Sequence, residues 1–182
     1  MKQIFKLGLF IATLNFLTDC NGQTKTESNQ NEIKTDKNKL IGGGCDGCEL
    51  MYVGMPKVIS SEHTSNGWDE GKQKLILTGK VFQLDGRTPA SDVVIYYWHT
   101  DDSGLYSSND QTPKQAKEHG KLRGWVKSDK SGNYTIKTSR PDAYPNDNIP
   151  QHIHLSIKEP DIINEYYADL YFDDDPLYLK HK

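Results

Sequence analysis

Alternating polar and apolar positions mark several strands along the chain. The clearest example is residues 150–157, where His152 and His154 alternate with Ile153 and Leu155. Successive side chains of a strand point to opposite faces. We therefore expect both imidazoles on one face of this strand and the aliphatic side chains in a core.

Further short strands are predicted at 75–81, 93–98, 123–128 and 134–138, where alternating or β-branched and aromatic residues occur. Turn residues rich in glycine, proline and aspartate separate them, and 110–121 is predicted as a short helix. Many short strands with turns at regular intervals predict an all-β fold, an antiparallel β-sandwich with long active-site loops.

The first twenty residues have the pattern of a secretory signal. Lys2 and Lys6 precede an apolar run at 7–17, which is too short for a comfortable transmembrane helix. Residues 17–20 resemble a bacterial lipoprotein processing site that would place a lipid on Cys20. The expected location is therefore the bacterial cell envelope, by lipid anchor, or the exterior if an ordinary signal is cleaved.

Residues 21–40 are almost all polar or charged and cannot bury enough apolar surface to offset the entropy of ordering. We predict a disordered polar tether there. Residues 41–182 are long enough for one domain with a single core.

The pair Cys45 and Cys48 has three interpretations: a disulfide, half of a zinc site or a redox pair. The sequence contains no second such pair, which argues against zinc, and no βαβ pattern, which argues against a thioredoxin-like motif. Outside the reducing cytosol we expect Cys45 and Cys48 to be disulfide-bonded.

The charge composition argues against one class of binding partner. The formal net charge is −3 and the pI is near 6.1, so the chain lacks the basic surface that nucleic acid requires. We expect no nucleic-acid partner, and contact with a membrane only through the lipid anchor.

Four side chains form a candidate metal-ligand set. His152 and His154 are ~6.6 Å apart along their strand, close enough to share an ion, although such a pair is often only hydrogen-bonded. Tyr106 and Tyr144 lie in strongly marked turns. A phenol with a pKa of ~10 binds as an anion only beside a strongly charged cation. Phenolate oxygen combined with imidazole nitrogen suits ferric iron.

Residues 75–176 carry ordered motifs that include Gly104-Leu105-Tyr106, Tyr144-Pro145, His152-Ile153-His154 and Leu170-Tyr171-Phe172. In these motifs the chain resembles the intradiol ring-cleavage dioxygenases. The resemblance implies Tyr106, Tyr144, His152 and His154 as ligands of Fe(3+), the sole cofactor. It implies a catechol-type substrate that O2 cleaves between its two hydroxyl groups to a muconate-type diacid. Tyr144 would leave the metal and accept a proton.

The chain departs from the family pattern at two positions. Ile149 stands where the family usually has an arginine, and Asp169 stands where it commonly has a glutamine. Both are candidate substrate-pocket residues, and Arg123 or Arg140 could supply the missing cation from elsewhere.

Two other functions remain open at this stage. One is a non-catalytic secreted β-sandwich that binds a partner without turnover. The other is a copper or zinc sandwich, which would need more clustered histidines than His63, His99 and His119 obviously supply. A homo-oligomer is also open.

Overall fold

The computed structural model describes residues 47–163 and 165–180. The predicted signal and tether, with Cys20 and Cys45, lie outside these ranges. The described elements are β1 (Glu62–Thr64), α1 (Gly67–Glu70), β2 (Lys74–Lys80), β3 (Val94–Trp98), β4 (Arg123–Lys127), β5 (Asn133–Ser139), β6 (His152–Lys158), β7 (Tyr166–Tyr171) and α2 (Pro176–Leu179). None of the described helices is long and apolar enough to cross a membrane.

The strands form two sheets, with strand orders β1-β5-β2 and β4-β3-β6-β7. Every pairing is antiparallel except that between β1 and β5. The predicted all-β antiparallel sandwich is confirmed. Strand β1 was not predicted, because its three residues are too few to show an alternating pattern.

The main core contains apolar side chains of both sheets. Ile136 of β5 is fully buried in one cluster with Ile95, Val126, Ile153 and Leu155 of the four-stranded sheet. Burying an aliphatic side chain of this size contributes roughly 1.5–3 kcal/mol. The predicted apolar face of the histidine strand therefore anchors it in the core.

The opposite face of the four-stranded sheet is also covered. A 3-10 helix at Cys48–Tyr52 brings Met51 onto Tyr96 and Trp98, and all three side chains are buried. Ser156, on the same face of β6 as the histidines, donates a hydrogen bond to the Met51 sulfur at 3.3 Å. The polar face of the histidine strand therefore lies beneath an aromatic layer rather than in open solvent.

The predicted helix at 110–121 is replaced by shorter turns. The chain forms 3-10 turns over Lys114–His119, interrupted by a non-helical Ala116 and ended by Gly120 with a positive φ. His119 closes this segment onto the sheet, because its Nδ1 lies 2.9 Å from the Tyr96 hydroxyl. Cys48, one of the two cysteines of the predicted disulfide, lies within the described residues and is disulfide-bonded.

Candidate metal centre

The four predicted donor side chains converge on one point. Tyr106 Oη lies 2.5 Å from Tyr144 Oη and 2.7 Å from His154 Nε2. Tyr144 Oη lies 3.1 Å from His154 Nε2 and 3.3 Å from His152 Nε2, and the two Nε2 atoms are 3.2 Å apart. Two phenol oxygens and two imidazole nitrogens thus face one another within hydrogen-bond distance.

The two tyrosines arrive on loops that are tied together at their backbones. Tyr106 follows the turn after β3, and Tyr144 lies in the loop between β5 and β6. Thr100 Oγ1 donates to the Asp142 carbonyl at 2.6 Å, and the Asp142 amide donates to the Asp101 carbonyl at 3.2 Å. These bonds fix the separation of the two loops that carry the phenols.

Gly104 makes the close approach of these loops sterically feasible. Its φ is +73°, and a Cβ at this position would lie 2.0 Å from the Ala143 carbonyl oxygen and 2.9 Å from Pro145 Cδ. Glycine adopts a positive φ without steric cost. A residue with no side chain is therefore required where the Tyr106 turn meets the backbone on either side of Tyr144.

Hydrogen bonds on the far side of each imidazole direct its Nε2 toward the phenols. His152 Nδ1 lies 2.6 Å from the Pro150 carbonyl oxygen, which can only accept. His154 Nδ1 lies 2.7 Å from Asp169 Oδ1. A hydrogen on each Nδ1 leaves a lone pair on each Nε2, which is the form in which imidazole binds a metal.

Burial favours the neutral forms of Tyr106, Tyr144 and His152. It raises the pKa of the Tyr106 hydroxyl, and the hydrogen bond with Tyr144 adds to that rise. Burial also raises the pKa of Tyr144 and lowers that of His152. Both phenols are therefore protonated at neutral pH, and a highly charged cation is needed to convert them to phenolates. The donor set fits ferric iron.

Asp169, a predicted substrate-pocket residue, lies next to one of the two imidazoles. Asp169 Oδ1 lies 2.7 Å from His154 Nδ1, so the carboxylate supports that imidazole on the side away from its Nε2. Burial favours the neutral form of Asp169, but hydrogen bonds from His154 and Tyr167 bring its pKa below the ordinary value. The structure therefore gives this residue an outer role in the candidate centre.

The two arginines considered as replacement cations have other partners. Arg123 stacks over the rings of Tyr96 and Trp125 and donates to the Val53 carbonyl. Arg140 forms a two-point ion pair with Asp174, at 2.6 and 2.8 Å. Ile149 itself brings no charge and is 39% exposed. Neither guanidinium therefore supplies the positive charge that Ile149 lacks.

The remaining described histidines are dispersed. Nδ1 of His63 lies 2.8 Å from the Tyr97 hydroxyl, and His99 is held by Thr138 and by the Thr100 carbonyl. Among the described residues, the one group of three histidine, cysteine or acidic side chains close enough to hold a metal is His152, His154 and Asp169. A second cluster, as a dinuclear copper and zinc site would need, is not found in this part of the chain.

Three aromatic residues around the centre were not predicted from the sequence. Trp98 stacks on His154 with ring centroids 4.9 Å apart, and Tyr171 lies 5.6 Å from His152. The hydroxyl of Tyr167 contacts both His154 and Asp169. The alternation of 167, 169 and 171 on one face of β7 was the available signal, but it needs the pairing with β6 to be known.

A family model and several curated proteins match this chain. A family model described as "Dioxygenase" matches residues 58–181. The catechol 1,2-dioxygenase of Acinetobacter baylyi is 30% identical over 95 residues, which cover 52% of this chain and 30% of that protein. The chlorocatechol 1,2-dioxygenase of a Pseudomonas species is 29% identical over 121 residues, or 56% of this chain and 46% of that protein. The chain thus spans less than half the length of these two curated relatives.

The solved structures show the same fold. Catechol 1,2-dioxygenase from Pseudomonas arvilla C-1 superposes with a TM-score of 0.52 at 25% identity, covering 66% of this chain and 42% of that one. The family model covers more than half of the present chain, and the four convergent donors fall within the matched residues. On these grounds the chain belongs to the intradiol ring-cleavage dioxygenase family.

Proposed function

We propose that this protein is a non-haem Fe(III)-dependent intradiol dioxygenase that cleaves a catechol-type ring with O2. The observation that carries the proposal is the convergence of Tyr106, Tyr144, His152 and His154 on one point, with both Nε2 lone pairs directed at the phenols. Ferric iron, when bound, supplies the chemistry that makes a catechol reactive toward O2 and yields a muconate-type diacid.

The residues of the chain divide the remaining tasks. His152 and His154 would hold the metal from strand β6, whereas both tyrosines approach on loops. Tyr144 would serve as the proton acceptor for the incoming catechol, because burial raises the pKa of its hydroxyl and so favours the protonated phenol. Tyr106 and the two histidines would hold the metal throughout.

Turnover of simple catechols is expected to be slow. The developing anionic substrate lacks a fixed cation at position 149, and Arg123 and Arg140 have other partners. Removing one preorganised charged or hydrogen-bonding group at such a site typically costs about 2.7–4 kcal/mol, or roughly 10²–10³ in rate. Because this cation is missing, the substituents of the natural substrate must supply the binding energy that it would have provided.

The test is ferric loading followed by turnover. The purified protein loaded with Fe(III) should be red-brown through tyrosinate-to-iron charge transfer, with about one iron per chain, and the band should shift when catechol is added. With isotopic O2, mass spectrometry should find both oxygen atoms in a ring-opened diacid. His154→Gln should remove the colour, whereas the matched variant His63→Gln should keep it.

The outcomes separate the competing functions. A protein that stays colourless after iron loading but binds copper or zinc through the same histidines would support the other metal sandwich. A protein that takes up iron yet leaves catechols, protocatechuates and hydroxyquinols intact would support a non-catalytic binding module.

We also propose that the protein is exported and then secreted or lipid-anchored at the cell envelope. The basic start, the apolar run and Cys20 support this proposal. Mass spectrometry of the mature N-terminus should find a lipid-modified Cys20 or a cleaved signal. An intact Met1 on the mature protein would contradict export.

A further inference from the structure

A carboxylate lies behind one of the two imidazoles of the metal centre. The register of β6 and β7 sets His154 directly opposite Asp169. Asp169 Oδ1 lies 2.7 Å from His154 Nδ1 and 2.6 Å from Tyr167 Oη, and Tyr167 Oη is itself 2.7 Å from His154 Nδ1. A compact triangle of imidazole, carboxylate and phenol therefore backs the side of His154 that faces away from the donor centre.

The chemistry of these three groups determines where the hydrogens lie. An ionised carboxylate can only accept, whereas the Tyr167 hydroxyl and a protonated Nδ1 can both donate. Asp169 Oδ1 therefore attracts both hydrogens, and the His154 lone pair stays on Nε2. The His154 and Asp169 side chains are only 13% and 19% exposed, so water screens this contact weakly.

The two imidazoles of the centre thus differ in their outer partner. His152 Nδ1 faces a neutral carbonyl oxygen, that of Pro150, at 2.6 Å. His154 Nδ1 faces an anion. A carboxylate partner draws the Nδ1 hydrogen toward itself and makes the ring a stronger electron donor through Nε2. His154 is consequently the more strongly donating ligand of the pair.

We propose that Asp169 is a positioning residue that fixes the tautomer of His154 and increases its electron donation to bound ferric iron, and that Tyr167 moderates this effect by sharing Oδ1. The inference rests on the proposed function, since it concerns the metal which that function requires. It assigns to Asp169 an electronic role through its charge, in addition to a geometric one.

The Asp169→Asn variant tests this role. Asparagine keeps the size and an accepting oxygen but removes the charge, so the iron should become more electron-poor. The tyrosinate-to-iron band should then move to longer wavelength, and the affinity for Fe(III) should fall by about 10–100-fold. Visible spectra and competition with a chelator measure the two effects on the iron-loaded protein.

Tyr167→Phe supplies a second variant with the opposite expected direction. Without the Tyr167 hydroxyl, Asp169 Oδ1 accepts only from His154 and should draw its Nδ1 hydrogen more strongly. His154 should then donate more electron density to the iron, and the band should move to shorter wavelength. The matched control is Asp92→Asn, the same chemical change at an exposed residue that pairs with Lys127. Asparagine also tolerates the positive φ of position 92, and the band should not move.

The failure of this inference and that of the proposed function give different results. A coloured wild-type protein whose band is the same in Asp169→Asn overturns the electronic role and leaves the iron site standing. A wild-type protein that forms no tyrosinate band overturns both. If circular dichroism shows that Asp169→Asn is unfolded, Tyr167→Phe decides, and an unshifted or longer-wavelength band in that variant overturns the proposal.

Discussion

The Gly104→Ala variant is expected to lose ferric iron binding and to be strongly destabilised. A Cβ at this position would lie 2.0 Å from the Ala143 carbonyl oxygen, so the loops carrying Tyr106 and Tyr144 would have to separate. The positive φ adds about 1–2 kcal/mol of strain and overpacking about 1–3 kcal/mol, for a combined cost of about 2–5 kcal/mol. Urea unfolding and iron titration measure the two effects.

Gly86→Ala is the matched control for backbone strain alone. Gly86 has a φ of +67°, close to that of Gly104, but a Cβ there would meet no atom within 4 Å. This variant should be destabilised by only about 1–2 kcal/mol and should bind iron normally. Equal iron affinity in the Gly104 and Gly86 variants would show that contact between the loops does not hold the phenols together.

Tyr106→Phe and Tyr144→Phe are expected to alter the charge-transfer band in different ways. Each removes one of the two phenol oxygens, which lie 2.5 Å apart, and so removes one tyrosinate ligand. Loss of an outer partner of a ligand typically costs 10–100-fold in metal affinity, so loss of a ligand should cost more than about 100-fold. The Tyr144 variant should in addition lose the proton acceptor for catechol. Visible spectra, iron affinity and diacid formation measure these changes.

Tyr52→Phe controls for the removal of a phenol elsewhere. Tyr52 is 45% exposed, and its hydroxyl donates to Glu165 at 3.3 Å. Its loss should change neither the spectrum nor the iron affinity. Spectra unchanged in both the Tyr106 and the Tyr144 variants would rule out tyrosinate ligation and with it the proposed iron site.

Much of the fold could be predicted from local pattern. The alternation in β6 placed Ile153 and Leu155 in the core and the two histidines on the other face, as observed. The strand β1 could not be predicted, because its three residues join the sheet only through parallel pairing with β5. The predicted helix at 110–121 became 3-10 turns, because its end is closed onto the sheet by His119 and by Gly120, which has a positive φ.

The four donor residues of the candidate site could be predicted from the sequence, but the residues that surround them could not. Residue types, turn contexts and the family resemblance together nominated Tyr106, Tyr144, His152 and His154. The hydrogen bond between Asp169 and His154 Nδ1 could not be predicted, because it depends on the register between β6 and β7.

The sequence by itself predicted the two-sheet architecture and, together with the family resemblance, nominated the four candidate donors. Both depend on short-range information: the two-residue period of a strand and the chemistry of each side chain. The tertiary structure alone decided that Asp169 backs His154, that Gly104 admits the Tyr144 loop, and that Arg123 and Arg140 pair elsewhere. These features depend on strand register and on contacts between distant loops, which no local pattern specifies.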